Sequence, residues 1–122
     1  MLIDINYFKQ VNDAYGHAAG DALLQHVALL LRHQLRKLDY AFRMGGDEFL
    51  LLLPGIDCGQ ASHLAERLRK AMECTPLRWE GNELPISVSI GLSEWQPGEE
   101  NLEALLRRAD SAMYQQKPAR LG

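Results

Sequence analysis

The chain has 122 residues, of which 47% are hydrophobic and 24% are charged, a composition typical of one globular domain with a core of its own. Its net charge of −3 argues against a nucleic-acid-binding protein, because phosphate backbones require a basic excess. The apolar runs are too short to span a membrane, and the first residues lack the basic region of a signal peptide, so we expect no membrane contact by this domain.

The first third of the chain predicts a short strand and two helices. Three apolar residues run directly into Asp4, which indicates the end of a buried strand. Residues 8–15 predict a short helix that a glycine breaks. A longer helix follows, capped by Gly20 or Asp21 and extending to about Leu35, because its leucines recur at helical spacing.

A tight hairpin follows the second helix. Residues 40–43 and 49–53 have the composition of strands, and Gly45 and Gly46 lie between them. Two adjacent glycines supply the positive φ angles that a short hairpin turn requires.

The second half of the chain predicts two helices with a strand between them. Residues 61–72 show the pattern of an amphipathic helix, and residues 84–93 alternate as a strand does, with Pro85 near the start. Asn101 caps a last helix, which Pro118 ends. Helices packed on a mostly antiparallel central sheet are the expected architecture, a fold of the α/β (α+β) class.

Carboxylates at two predicted strand ends indicate a site for a hard cation. Asp4 ends the first strand, and Asp47 and Glu48 lie at the tip of the hairpin. Mg²⁺ prefers one or two carboxylates and takes its other ligands from water and substrate phosphates, and the bare glycines let a ligand approach the backbone. Simple solubility of an exposed acidic pair is the alternative. A calcium EF-hand loop is excluded, because Phe8 stands at its third ligand position.

Five segments of the chain carry motifs that belong together. Residues 45–49 read GGDEF. Residues 4–13 read DINYFKQVND, and residues 15–21 read YGHAAGD. Residues 89–91 read SIG, and residues 108–117 read RADSAMYQQK. In this order and at this spacing they resemble the landmarks of the GGDEF family of diguanylate cyclases, and the resemblance covers essentially the whole chain.

The resemblance implies an enzyme that joins two GTP molecules into cyclic di-GMP and releases two pyrophosphates. Its fold would be similar to the palm of polymerases and of class III nucleotidyl cyclases. The resemblance implies Mg²⁺ or Mn²⁺ as the cofactor, a homodimer for catalysis because each protomer brings one GTP, and an upstream sensor or receiver module. A cytoplasmic location is expected, although the full-length protein could be membrane-anchored.

The resemblance also assigns the metal ligands and the reacting groups. Asp4, the main-chain carbonyl of Ile5 and Asp47 would hold the metal on the GTP phosphates. Asp47 would accept the proton of the 3′-hydroxyl group with Glu48 beside it, and Lys9 would offset charge on the phosphoryl group. Attack on phosphorus places negative charge on the non-bridging oxygens, which metal ions and a lysine stabilise. For Lys9, an ordinary surface lysine is the alternative.

In the same resemblance, Asn12 and Asp21 read the guanine base. Guanine presents its N1–H and N2–H₂ donors on one edge, so the Asp21 carboxylate suits guanine, whereas adenine would present an acceptor. Plain helix caps are the alternative for both residues, and a structural role is the alternative for His17. The full substrate-binding set that the resemblance implies is Asn12, His17, Asp21, Gly45, Gly46, Lys117 and Arg120.

A second site is implied by Arg36 and Asp39, which form an R-x-x-D motif shortly before the hairpin. In the GGDEF family, this motif at this distance is the inhibitory site for the product. An arginine fork and an acceptor suit the guanine edges and the phosphates of cyclic di-GMP. An exposed helix end with a local salt bridge is the alternative.

The chain departs from the family pattern at both ends. The family's N-terminal part with its D-x-L-T-G-L-x-N-R motif and its last strand are absent, so residues 1–122 are expected to be a single GGDEF domain truncated at both ends. Arg120 lies one position earlier than the family's arginine relative to Lys117, and Asn6 replaces a second Asp. These departures leave open a catalytically weak module that binds GTP or cyclic di-GMP as a sensor or docking unit.

Overall fold

An antiparallel sheet flanked by helices forms the fold in the computed structural model, which describes residues 1–95, 98 and 101–117. The elements, in chain order, are β1 (Leu2–Ile5), α1 (Phe8–Tyr15), α2 (His17–Gln34), β2 (Tyr40–Gly45), β3 (Glu48–Leu52), α3 (Cys58–Cys74), β4 (Leu77–Trp79), β5 (Asn82–Leu84), β6 (Val88–Gly91) and α4 (Leu102–Gln115). The main sheet has the strand order β2-β3-β1-β6, and β4 and β5 form a separate hairpin. This architecture confirms the predicted α+β class. Within the described ranges, no helix is both long and apolar enough to cross a membrane.

Two apolar layers enclose the central strand β1. On one face, Ile3 and Leu51 belong to a buried cluster that includes residues of α2 and α3. On the other face, Leu2 packs in a second cluster with Ala109 and Met113 of α4. Successive residues of a strand point to opposite faces, so a strand with apolar residues on both faces needs both layers. The carboxyl end of β1 is thereby held in a fixed position.

The start of α2 differs from the prediction. The helix begins at His17, directly after Gly16, whose φ of 92° interrupts the path from α1. The predicted cap at Gly20 or Asp21 is wrong, because both residues lie inside the helix. Gly20 is buried there, and a Cβ at this position would lie 1.9 Å from Asn12 Oδ1. The absence of a side chain at Gly20 therefore allows α1 and α2 to pack closely, and this residue does not cap the helix.

The predicted strand over residues 84–93 is wrong in its bounds. β5 ends at Leu84, and β6 includes only residues 88–91. The sequence also fails to predict the β4–β5 hairpin, whose strands have three residues each. Its turn places Glu80 and Gly81 at φ angles of 45° and 81°.

The helix α3 is longer than the predicted residues 61–72, whereas α4 begins as predicted. α3 starts earlier because Asp57 and Gln60 form a capping box, in which the side chain of each accepts from the backbone N–H of the other. Asn101 caps α4 through its side-chain oxygen, which confirms the prediction. The predicted helix stop at Pro118 lies outside the described residues.

The helix α4 lies directly against β6 at Gly91. A Cβ on Gly91 would lie 1.9 Å from the Ala109 carbonyl oxygen and 2.4 Å from the Met113 nitrogen. No larger residue fits against a neighbouring backbone at these distances without moving it. This contact carries the end of α4 toward the carboxyl end of β1.

Candidate active site

Three carboxylates converge where β1 ends and the β2–β3 hairpin turns. Asp4 pairs with Glu48 in the register of β1 and β3. Asp47 lies in the turn, and its carbonyl accepts a hydrogen bond of 3.1 Å from the Ile5 N–H. The structure therefore brings together the predicted metal residues Asp4, Ile5 and Asp47, and it places Glu48 beside them.

Burial and neighbouring carboxylates raise the pKa values of Asp47 and Glu48. Burial raises the pKa of Asp47 above its ordinary value, and the adjacent Asp4 carboxylate raises it further. Burial also raises the pKa of Glu48, with additional contributions from Asp4 and Asp110. A site that holds several negative charges close together favours a bound cation.

Lys117 is a cation that the structure places at these carboxylates. Its Nζ forms an ion pair with Asp4 Oδ2, and the two side chains are only 19% and 13% exposed, respectively. The lysine opposes the rise in the pKa of Asp47 and of Glu48. Lys117, predicted to bind the substrate, thus reaches the same group of side chains. Arg120, predicted to act with it, lies outside the described residues.

Asp4 has one oxygen left for a metal ion. Its Oδ1 is buried and has no hydrogen-bond partner within the described residues. Mg²⁺ and Mn²⁺ take carboxylate and carbonyl oxygens as ligands, so an unsatisfied acceptor beside Asp47 fits either ion. Among residues 1–95, 98 and 101–117, no group of three or more His, Cys, Asp or Glu side chains clusters as metal ligands. Mg²⁺ needs only one or two carboxylates and completes its octahedron with water and phosphate oxygens, so the residues present fit it.

The hairpin turn is open around its two glycines. Gly45 and Gly46 have φ angles of 121° and 54°, and apart from its chain neighbours a Cβ built on either would meet no atom of the described residues within 4 Å. The register of β2 and β3 shifts between Arg43 and Gly45. Arg43 Nε and Nη2 donate to the Gly46 carbonyl at 3.1 and 2.9 Å. The glycines leave room for a ligand, and the contact from Arg43 is not predicted by the sequence.

The helices α1 and α2 carry the residues predicted for the nucleotide. Asn12 is half-buried, and its amide lies against Gly20 of α2. Asn12 lies inside α1 and Asp21 inside α2, so the cap alternative is wrong for both residues. Their role in reading guanine stays a prediction. The exposed members of the predicted set on these helices are Lys9, His17 and Asp21.

Asn6 is buried and ties β1 to the chain around β6. Its Nδ2 donates to Ser87 Oγ and its Oδ1 accepts from Ser89 Oγ, both at 2.9 Å. The Asn6 N–H also donates to the Ser87 carbonyl at 2.8 Å. Both ends of the amide are thus engaged in holding the backbone beside Asp4.

Arg36 and Asp39, predicted as the inhibitory site, form an ion pair directly after α2. Arg36 Nε and Nη2 donate to the Asp39 carboxylate, with a shortest contact of 2.7 Å, and Nη2 also donates to the Pro54 carbonyl at 2.7 Å. The hydrogen bonds from Arg36 hold the pKa of Asp39 below its ordinary value. A cavity of about 240 Å³ beside the pair is also lined by His63 and Arg67. The local salt bridge named as the alternative is present, and product binding there stays a prediction.

Known proteins match nearly the whole chain. Residues 1–121 match the family described as diguanylate cyclase, GGDEF domain. Diguanylate cyclase A of Treponema denticola is 38% identical over 117 residues, which cover 96% of this chain and 32% of that protein. The chain thus spans about a third of the length of this curated relative.

Two solved structures share the fold. The diguanylate cyclase SiaD of Pseudomonas aeruginosa, in complex with its activator SiaC, has a TM-score of 0.88 at 36% identity, over 93% of this chain and 44% of that chain. The GGDEF domain of DgcB from Caulobacter crescentus, in complex with c-di-GMP, has a TM-score of 0.86 at 30% identity, over 93% of this chain and 68% of that chain. The antiparallel sheet flanked by helices is therefore the fold of these domains.

Proposed function

The chain belongs to the GGDEF domain family, and from that membership we propose that it carries diguanylate cyclase activity. The reaction joins two GTP molecules into cyclic di-GMP and releases two pyrophosphates, and residues 1–122 act in it as one domain. The observation that carries the proposal is the position of Asp47 in the hairpin turn against Asp4, whose Oδ1 is buried without a partner in the described part of the chain.

The reacting groups in this proposal are the side chains at the hairpin turn. Asp4, Asp47 and the Ile5 carbonyl hold Mg²⁺ or Mn²⁺, which when bound neutralises charge on the GTP phosphates. The Asp47 carboxylate accepts the proton of the attacking 3′-hydroxyl group. Glu48 lies beside Asp47 and assists it.

Two lysines offset the negative charge that develops during attack on phosphorus. Lys117 is already at Asp4, and Lys9 is exposed on α1. Cations held in place before the reaction stabilise the transition state without reorganisation. The open turn at Gly45 and Gly46 lets phosphate oxygens approach the backbone. Arg120 completes the proposed substrate contacts.

Guanine is read at the junction of α1 and α2. The amide of Asn12 lies against Gly20, and Asp21 is the next residue of α2. The Asp21 carboxylate accepts from guanine N1–H and N2–H₂, a pair of donors that adenine lacks, so GTP is preferred over ATP. His17, at the start of α2, lies near the nucleoside in this arrangement.

Cyclic di-GMP is also the proposed inhibitor, bound at Arg36 and Asp39. Asp39 and the Pro54 carbonyl orient the Arg36 guanidinium through Nε and Nη2, and Nη1, which no described residue engages, is left to donate to a phosphate or a guanine edge. The complex of DgcB with c-di-GMP supports binding of this nucleotide, and the complex of SiaD with its activator supports control by a partner. Catalysis uses a homodimer, because each protomer brings one GTP, and an upstream sensor or receiver module controls it.

The alternative, a catalytically weak module that only binds GTP or cyclic di-GMP, is not favoured. The relative matched over 96% of this chain is named a diguanylate cyclase. The carboxylates Asp4, Asp47 and Glu48 lie together rather than dispersed, as the chemistry requires. Turnover of GTP separates the two functions.

The full-length protein with GTP and Mg²⁺ provides the test. The parent forms cyclic di-GMP, measured by chromatography, and Asp47→Asn loses turnover by roughly a hundredfold or more, the effect of removing a group that stabilises the transition state by about 3 kcal/mol. Glu73→Gln, at an exposed position near the end of α3, is the matched control and keeps parental turnover. Circular dichroism checks that both variants fold. A parent that forms no cyclic di-GMP, or an Asp47→Asn variant with near-parental turnover, refutes the proposal.

A further inference from the structure

The turn that carries Asp47 receives little support from side-chain packing. Apart from its chain neighbours, a Cβ built on Gly45 or Gly46 would meet no atom of the described residues within 4 Å. Glycine loses more conformational freedom on folding than any other residue. A turn with two such glycines therefore needs hydrogen bonds from outside itself if Asp47 is to keep one orientation.

Arg43 supplies such hydrogen bonds from the strand that leads into the turn. Its Nε and Nη2 both donate to the Gly46 carbonyl, at 3.1 and 2.9 Å. The side chain is exposed, and within the described ranges it forms no ion pair with a carboxylate. The position of the guanidinium group is therefore set by its two hydrogen bonds to one main-chain oxygen.

Hydrogen bonds fix the peptide groups on both sides of Asp47. The Gly46 carbonyl belongs to the same peptide group as the Asp47 N–H, and the Asp47 carbonyl accepts from the Ile5 N–H at 3.1 Å. Because peptide groups are planar, holding one on each side sets the direction in which the Asp47 side chain leaves the backbone. We propose that Arg43 is a positioning residue that holds the Asp47 carboxylate against Asp4, an inference that rests on the proposed cyclase function.

The shape of the guanidinium group separates this role from that of a simple positive charge. Arginine presents a rigid planar fork, whereas lysine presents one compact ammonium on a flexible stem. A cation that touched the GTP phosphates would change KM, and a lysine would replace it in part. A guanidinium group that only orients Asp47 affects kcat when it is removed, and a lysine does not replace it.

Steady-state kinetics of the full-length protein tests this distinction. Arg43→Met and Arg43→Lys should both lower kcat by about a hundredfold, the loss typical of a reacting group misplaced by about 1 Å. KM for GTP should stay within about threefold of the parent in both variants. Arg78→Met is the matched control, since Arg78 is 85% exposed on β4, and it should keep the parental values. A large rise in KM, rescue of kcat by lysine, or unchanged kcat overturns the proposal.

Backbone amide exchange over residues 44–48 gives a second readout that needs no turnover. Measured without nucleotide, exchange in Arg43→Met should be about tenfold faster than in the parent and in Arg78→Met, because the turn opens more often. A parent that makes no cyclic di-GMP but shows this change would refute the proposed function and leave the role of Arg43 in holding the turn. An active parent with unchanged exchange in Arg43→Met would refute that role and leave the function.

Discussion

Replacing Gly20 with alanine should leave the protein folded and weaken its affinity for GTP. Gly20 is buried inside α2, and an added Cβ would lie 1.9 Å from Asn12 Oδ1 and 2.8 Å from Asn12 Cγ. The obstacle is the end of a short side chain rather than backbone, so Asn12 can turn away. The substitution therefore displaces the group that we propose reads guanine.

The two contributions to the free energy of unfolding nearly cancel. Alanine in a helix interior is favoured over glycine by about 1 kcal/mol, and forcing Asn12 away from its preferred rotamer costs about 0.5–1.5 kcal/mol. The net change is therefore about zero, within roughly 0.5 kcal/mol. Losing a hydrogen bond to the bound guanine costs about 1–1.5 kcal/mol, which weakens GTP binding roughly five- to tenfold.

Urea unfolding and calorimetric titration with GTP measure these two effects. Because Asn12→Ala removes the obstacle, Gly20→Ala in that background should stabilise the protein by the full ~1 kcal/mol. Gly59→Ala in α3 is the matched control, since a Cβ there meets only Asp57 Oδ1 at 3.3 Å, and it should leave GTP affinity unchanged. A Gly20→Ala variant that binds GTP as tightly as the parent would contradict the displacement of Asn12, and so would equal stabilisation of the parent and of Asn12→Ala by this substitution.

Three further predictions concern α4 and the ion pair after α2. Gly91→Ala should lower the free energy of unfolding in urea by about 3 kcal/mol, because the obstacle is the Ala109 backbone carbonyl at 1.9 Å, which cannot rotate away. An unchanged unfolding midpoint would contradict the close contact. Arg36→Ala should weaken cyclic di-GMP binding about tenfold in calorimetry, and equal affinities would make the R-x-x-D motif an ordinary helix end. The parent should be more stable than Asp39→Asn, and this difference in the free energy of unfolding should have its largest value above about pH 5. The difference should shrink as the pH falls through about 3.9 toward the lowered pKa of Asp39, because protonation removes the ion pair. A difference that does not change with pH would contradict this assignment.

Hydrophobic periodicity predicts the helices better than the short strands, although α2 and α3 both begin earlier than predicted. α1 and α4 begin where the pattern places them, because several turns of a helix repeat the same apolar spacing. β4 and β5 have three residues each, which is too few to establish a period of two. The alternation over residues 84–93 extends beyond the ladder, since Ile86 is buried although it lies outside both strands. Alternation reports which side chains are buried and not which backbone groups pair.

The start of α2 shows a tertiary contact overriding a local signal. Glycine followed by aspartate has the composition of a helix boundary, and the sequence places the cap there. Gly20 instead lies within the helix, and a glycine is required there because the Asn12 side chain occupies the space that a Cβ would need. That requirement involves two helices and is not visible in either segment alone.

The candidate site is predictable where it depends on strand ends. Asp4 and Asp47 follow from the position of a carboxylate at the end of one strand and in a tight turn. The ion pair of Lys117 with Asp4 requires α4 to dock on β6, and the hydrogen bonds from Arg43 require the irregular register before the turn. The sequence does show an arginine two residues before the paired glycines, but whether that arginine contacts the turn depends on the geometry of the turn.

The ion pair between Asp4 and Lys117 also determines when the site can form during synthesis. Asp4 precedes Lys117 by 113 positions in the chain, so it leaves the ribosome well before that lysine does. Until then the carboxylates at the hairpin lack this cation, and β1 cannot pair with β6 before residue 91 has emerged. Contacts between distant parts of a chain form late. The nascent chain therefore cannot complete this group of side chains until residue 117 has emerged.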